Sequence, residues 1–192
     1  MSASAIELTG IMPEPERIRD RGLLERFRAG DADAFTEIYR AHGRAVFRFA
    51  LLMTADEFKS AETTQDVFLW LIRHPGSFDP SRGELSAFLV GVARKLLKKR
   101  YSEERRWVSL DDAMACSKAP SNEGAGDVIR LRKAIAGLPE RYRAVVVLCD
   151  LEGRTYEEAA AISECAIGTV RSRLHRARAL LARKLVGRGC LA

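Results

Sequence analysis

The sequence predicts an all-α protein made of two small helical domains joined by a flexible linker. Three observations carry that expectation. Almost every patterned segment repeats its apolar residues at spacings of three and four, and no alternation of period two extends beyond a few residues. One stretch, residues 108–127, shifts to Ser, Asp, Ala, Pro, Gly and Asn without a sustained apolar period, as a tether between compact units does. The 192 residues, 47% of them hydrophobic, suffice for two units of roughly 70 to 90 residues each. The expected division is an extension at 1–22, a first domain at 23–107, the linker at 108–127 and a second domain at 128–192.

Residues 1–22 are polar and contain proline, and are expected to carry no fold. Phe27, Phe35, Ile38, Tyr39, Val46, Phe47, Ala50 and Leu51 form an apolar stripe, with Asp31 or Asp33 as the capping residue. A second helix starts near Asp56, presents Phe58, Ala61, Val67, Phe68 and Leu71, and stops at His74-Pro75-Gly76. Turn-forming residues make 77–83 a loop. A third helix, from about Glu84 to Arg105, buries Leu85, Phe88, Leu89, Val92, Leu96 and Leu97.

Beyond the linker, Leu138-Pro139 places proline in the first turn of a helix that holds Tyr142, Val145, Val146 and Leu148 and ends near Gly153. Thr155-Tyr156-Glu157-Glu158 reads as a capping box, in which a threonine oxygen and the glutamate three residues later satisfy orphan amides. Ala159, Ala160 and Ile162 form the buried side of this short helix, and their small size permits close approach of another. Ser163-Glu164-Cys165-Ala166 makes the turn. The following helix buries Ile167, Val170, Leu174, Ala177 and Leu181 and shows Thr169, Arg171, Ser172, Arg173, His175 and Arg176 on its other face. The second domain is therefore a helix-turn-helix domain whose last helix suits a DNA major groove, since arginine reads guanine edges bidentately while hydroxyls and other cations hold phosphates. An isolated basic helix is ordinarily just solvated; the capped partner, the short turn and the acid-free face favour the DNA reading.

Charge supports a polyanionic partner. The formal net charge is +6, and no acidic side chain follows Glu164, whereas Arg171, Arg173, Arg176, Arg178, Arg183, Lys184 and Arg188 do. A second basic run comprises Arg94, Lys95, Lys98, Lys99, Arg100, Arg105 and Arg106. Two separated patches suggest two contacts with one long polyanion. The longest apolar runs are far shorter than the roughly 18 to 20 residues a membrane span needs. Glu7, Pro13, Glu14 and Glu16 stand where a secretory signal would be basic then apolar, so cytoplasmic residence is expected. Cys116, Cys149, Cys165 and Cys190 lack metal or disulfide spacing, and Cys149 and Cys165 read as small core residues. No cofactor is expected: there is no Gly-rich phosphate loop, and His42, His74 and His175 have no triad partners, so no enzyme is read here.

Three segments carry a resemblance. Residues 136–143 (Ala-Gly-Leu-Pro-Glu-Arg-Tyr-Arg), 150–158 (Asp-Leu-Glu-Gly-Arg-Thr-Tyr-Glu-Glu) and 168–178 (Gly-Thr-Val-Arg-Ser-Arg-Leu-His-Arg-Ala-Arg) resemble the C-terminal promoter-reading domain of extracytoplasmic-function sigma factors, in the sigma-70 family of bacterial RNA polymerase. The resemblance implies that Thr169, Arg171, Ser172, Arg173, His175 and Arg176 read the upstream promoter element, with Arg154, Thr155 and Tyr156 near the DNA backbone. Gln65-Asp66-Val67-Phe68-Leu69-Trp70-Leu71 and Phe78-Asp79-Pro80-Ser81-Arg82-Gly83 are similar to the family's core-polymerase-binding helix and the loop after it. That likeness implies that Glu62, Gln65, Asp66 and Leu69 face core polymerase. It also implies that the loop with His74, Phe78, Asp79 and Arg82 captures an unstacked base of the downstream element, while Arg94, Lys95, Lys98 and Lys99 hold the melted strand. Such roles fit the need for a basic track and a base pocket in strand separation. An anti-sigma protein is a further implied partner.

The sequence departs from the family pattern at four places. Phe88 stands for the usual tryptophan, Lys95 and Lys98 for the customary asparagine and aspartate, and Glu164 for the turn glycine, which brings modest strain if that backbone is left-handed. These changes point either to a divergent downstream element or to a tighter grip on phosphate with less selectivity. The alternative to an initiation factor is a free-standing helix-turn-helix regulator. That would need a ligand pocket or phospho-acceptor in the first domain, and would typically read a palindrome as a dimer.

Overall fold

The computed structural model describes residues 14–108 and 127–186, which contain helices and no strand. The first unit is α1 (Glu14–Arg28), α2 (Ala32–Thr54), α3 (Glu57–Arg73), a 3-10 turn (Pro80–Arg82) and α4 (Leu85–Val108). Asp31 is the cap that α2 uses: its Oδ1 accepts the Asp33 and Ala34 amides at 2.9 and 3.2 Å, while Asp33 lies in the first turn. Asp56 caps α3 through the Lys59 amide at 3.0 Å. Ile38, Phe49, Met53, Leu71 and Leu89 are fully buried where α2, α3 and α4 face one another, and Leu24 of α1 is fully buried as well. Arg28 anchors the end of α1 to the 74–84 loop, donating to Pro75 O at 3.0 Å and to Phe78 O.

The second unit is α5 (Asp127–Ala136), α6 (Glu140–Val146), a π-helical continuation (Val147–Leu151), α7 (Tyr156–Ser163) and α8 (Ile167–Val186). Leu138, Leu148, Ala159, Val170 and Leu174 form its core. Pro139 caps α6, as its fixed φ favours. The helix expected to run towards Gly153 is regular only to Val146. It then widens, its Glu152 amide donating to Val147 O at 2.9 Å, and is broken at Gly153, whose φ of +67° is left-handed.

Several expectations need correction. Residues 14–22, expected as unstructured extension, are the first turns of α1. They are held because Asp20 is buried and its Oδ1 lies 2.9 Å from Nε2 of buried His42 on α2, while Leu23 and Leu24 enter the core. Phe58 is 79% exposed and Ala61 is exposed, because Ser60, Thr63 and Thr64 take the buried face there, their hydroxyls bonded to backbone carbonyls one turn back. Ile167 opens α8 at the rim and stays 37% exposed, whereas Val170, Leu174, Ala177 and Leu181 are buried as expected. The interior of the expected linker, 109–126, lies outside the described residues; its flanks Val108 and Asp127 are helical.

The two units are in contact: α7 packs on α4, and α5 and α6 pack on α2. Asp20→Ala should lower stability by roughly 1–3 kcal/mol, the penalty for leaving a buried polar ring unpartnered. Urea denaturation measures this, and Arg21→Ala, on the exposed side of α1, should change it little.

Candidate nucleic-acid interface

The capping box sets α7. Thr155 Oγ1 accepts the Glu158 amide at 3.1 Å, and Glu158 Oε2 accepts the Thr155 amide at 2.8 Å. Buried Ala159 and Ala160 then let α8 approach closely. The turn is made by Glu164 in a left-handed conformation, φ 50°, with the Cys165 amide donating to Ala160 O at 3.1 Å. On α8, Arg171, Ser172, His175 and Arg176 are exposed together on one face, and Thr169 and Arg173 are half-buried at its edge. Arg173 is turned back towards Cys165 Sγ at 3.7 Å, and Ser172 Oγ donates to Thr169 O at 3.1 Å. The Arg171 guanidinium lies 5.8 Å from the centre of the Tyr156 ring. Arg176 hydrogen-bonds the Tyr142 hydroxyl and holds it below the usual phenol range, with Arg141 adding to the effect. Thr155 is exposed, Tyr156 half-buried.

In the first unit the candidates are divided. His74 stacks on Trp70, ring centres 4.5 Å apart, and its Nδ1 lies 2.9 Å from Trp70 O. Phe78, expected to meet a base, is instead 6% exposed and packs against Phe88 at 5.1 Å, because the loop folds its one large apolar side chain inward. Asp79 Oδ1 accepts from the amide and hydroxyl of Ser81 at 2.9 and 2.8 Å and so fixes the 3-10 turn that contains Arg82. A cavity of about 430 Å³ lies beside this loop, lined among others by Trp70, Phe78, Phe88, Val92, Lys95 and Ile162. Lys95, Lys98 and Lys99 are exposed along α4, Lys99 with Glu103 at 3.9 Å.

On α3, Glu62, Gln65 and Leu69 are exposed in one stripe, which Phe58 and Ile72 extend at both ends. Arg100 of α4 bridges Glu62 at 2.9 Å and half-buried Asp66 at 2.6 Å. In the sequence Arg100 is only part of a basic run; separations of 34 and 38 residues leave no local signal for this clasp.

Two other candidates lie in the seam between the units. Arg94 is 5% exposed, its Nη2 3.8 Å from Glu140 and its Nη1 a long 3.5 Å from Ile162 O. Arg154 reaches Ser86 Oγ at 2.6 Å, Glu158 at 3.2 Å and Glu84 at 3.6 Å. Lys95 Nζ lies 2.6 Å from Glu164 Oε1, and with Arg94 and Lys98 nearby it holds that carboxyl below the usual range. Arg143 donates to Met53 O, and Arg48 pairs with Glu152 at 3.2 Å; burial still pushes the Glu152 carboxyl upward, only partly offset by Arg48.

Comparison with known proteins fits this geometry. The sigma-70 region 2 family model matches residues 38–107, and the sigma-70 region 4 model matches 129–181. The chain is 32% identical over 168 residues to the ECF RNA polymerase sigma factor SigM of Mycobacterium tuberculosis, covering 86% of this chain and 84% of that protein. It is 31% identical over 136 residues to EcfG of Rhodopseudomonas palustris, also an ECF RNA polymerase sigma factor, covering 69% and 75%. The chain belongs to the ECF RNA polymerase sigma factors. A further relative in the family, SigE of Mycolicibacterium smegmatis, is 29% identical, and this sigma factor spans 59% of its length. Among solved structures it is similar to the sigma factor RpoE of Bartonella quintana in complex with the anti-sigma factor NepR, with TM-score 0.65, 28% identity and coverage of 79% of this chain and 96% of that one. It is also similar to CnrH in complex with the cytosolic domain of CnrY, with TM-score 0.66, 26% identity and coverage of 88% and 98%.

Among the described residues of this sigma factor no helix is long and apolar enough to cross a membrane. Cys149 is half-buried, and burial, helped by Asp150, pushes its thiol up to about 11. The thiolate is the reactive form, so iodoacetamide at pH 7.5 should label Cys149 roughly a hundredfold more slowly than a free cysteine, as peptide mapping would measure.

Proposed function

We propose that this chain binds core RNA polymerase and directs promoter-specific initiation from the cytoplasm, without bond chemistry of its own and under the control of an anti-sigma protein. The observation that carries the reading is the face of α8. A capped helix pair presents Arg171, Ser172, His175 and Arg176 to solvent with no acidic side chain among them. That is the arrangement a major groove accepts, because guanidinium forks match guanine edges and the helix pair fixes their angle. In this reading Thr169 and Arg173 flank the reading face, and Thr155 and Tyr156 lie against the phosphate backbone.

The first unit would supply the remaining contacts. The stripe of Glu62, Gln65, Asp66 and Leu69 on α3 would meet core polymerase. Lys95, Lys98 and Lys99 on α4 would track the melted strand, joined by Arg94 and Arg82. His74 and Asp79 would border the captured base, and Phe78 would support that pocket from beneath. In this division residues 23–107 and 128–192 act as separate promoter-binding units, with 108–127 between them. The complexes of RpoE with NepR and of CnrH with CnrY support an anti-sigma partner here as well. Membership of the sigma family weighs against a free-standing regulator.

Run-off transcription with purified core polymerase tests the proposal; it fails if no promoter fragment gives a specific transcript and the protein does not co-elute with core. Arg171→Ala and Arg176→Ala should each weaken duplex promoter binding by roughly ten- to hundredfold while leaving core binding unchanged. Asp66→Ala should weaken core association several-fold, as measured by fluorescence titration with core enzyme.

A further inference from the structure

The loop between α3 and α4 is held from outside by a helix that has no part in the proposed contacts. Arg28, in the last turn of α1, donates from Nε to Pro75 O at 3.0 Å and from Nη2 to Phe78 O. These two acceptors are the immediate chain neighbours of His74 and Asp79, which border the captured base in the proposed function. We propose that Arg28 is a positioning residue for reading of the downstream element: its guanidinium fixes the spacing of the two loop carbonyls and, through them, the placement of His74 and Asp79. The proposal rests on the reading that this loop takes a base of the melted strand.

The loop needs such a tie because its own bonds are local. Pro75 and Pro80 have no amide to donate, and Gly76 and Gly83 leave the backbone loose. Ser77 closes a first turn, its amide and hydroxyl donating to His74 O at 3.1 and 2.7 Å. Asp79 closes a second through the amide and hydroxyl of Ser81. Each turn is set within itself, and neither sets its distance from the other. Arg28 bonds one carbonyl inside the first turn and one at the entry to the second. The planar guanidinium holds its donors at a fixed separation, so two bonds from one fork define a spacing; the single point charge of a lysine cannot.

The other end of the tie is firm. Leu23 and Leu24, within the preceding five residues, are buried in the core, and Asp20 is bound to His42 of α2 at 2.9 Å. Arg28 therefore projects from a helix whose position does not depend on the loop. A base pocket that must be ordered at the moment of capture loses affinity to that ordering, and it loses selectivity when its polar groups can follow whichever base arrives. A loop preset from α1 avoids both losses. The contact spans 47 and 50 residues of sequence, and Arg28 on its own reads as one more charge on a polar helix.

The test uses the full chain with Arg28→Ala and Arg28→Lys, and with Arg26→Ala as control, because Arg26 lies in the same turn but pairs with Asp31 and Glu37 away from the loop. Hydrogen–deuterium exchange over residues 74–84 reads the tie. With core polymerase, on a promoter fragment that the wild-type chain transcribes, permanganate reactivity reads melting, and a panel with each downstream base replaced in turn reads discrimination. Arg28→Ala should speed loop exchange and reduce both melting and discrimination on the order of tenfold, with core binding and upstream duplex affinity unchanged. Arg28→Lys keeps the charge but not the fork and should lose discrimination too; a lysine variant that discriminates like wild type overturns the proposal. Unchanged loop exchange overturns the tie, and faster exchange with full discrimination overturns the positioning role. An equal loss in Arg26→Ala, or a loss of core binding, shows general loosening of α1 and overturns it as well. If Arg28→Ala does not fold by circular dichroism, Arg28→Lys alone carries the test with the same outcomes. Should the wild-type holoenzyme give no specific transcript, the functional reading fails and the positioning role with it, whereas exchange still reports whether the tie exists.

Discussion

The packing of α7 on α4 is the contact on which the arrangement of this molecule depends. On α7, Ala161 and Ile162 line the cavity beside Phe88 and Val92 of α4, while Ala159 and Ala160 are the buried small residues that admit α8. Helices can approach this closely only where side chains are small. The α7–α4 contact then brings together groups that would otherwise remain in solvent. Arg154, positioned by the capping box at the start of α7, reaches Glu84 and Ser86, and the turn at the end of α7 delivers Glu164 to Lys95.

Electrostatics within the first unit follow a similar logic on a smaller scale. Arg100 holds Glu62 and Asp66, so a helix with a basic surface and a helix with an acidic one are tied side by side. Exposed pairs of this kind add little stability, and their effect is chiefly on orientation. Glu62 and Asp66 are thereby presented in a fixed geometry on the same stripe as Gln65 and Leu69.

What is legible in the sequence is what is local. The capping box and the αL turn span four residues each, and the apolar spacing of α8 repeats within one helix; every residue of the predicted apolar face of α8 except Ile167 is buried. The start of α1 escapes such a reading because Glu14–Arg28 is dominated by charge, and its hold on the fold comes from Asp20 reaching His42 in another helix. Phe58 is large and apolar and so reads as buried, but the small hydroxyl residues beside it take the inward face. The seam is illegible for a deeper reason. An arginine reads as exposed wherever it stands, and only the docking of a second unit, at separations of 46 to 70 residues for Arg94–Glu140 and Arg154–Glu84, can bury it.

The π-helical segment Val147–Leu151 bears on how this region can change over time. Such a segment holds one residue more than regular α-helix would over the same rise. Deleting one of these five positions would leave regular α-helix over that rise, with the downstream chain in nearly the same orientation. Gly153, Arg154 and Thr155 would keep their facing, and α7 its berth on α4. Related chains that keep the same docking are therefore free to wind this stretch as plain α-helix one residue shorter, provided that buried Val147 and Leu148 are still matched by apolar side chains.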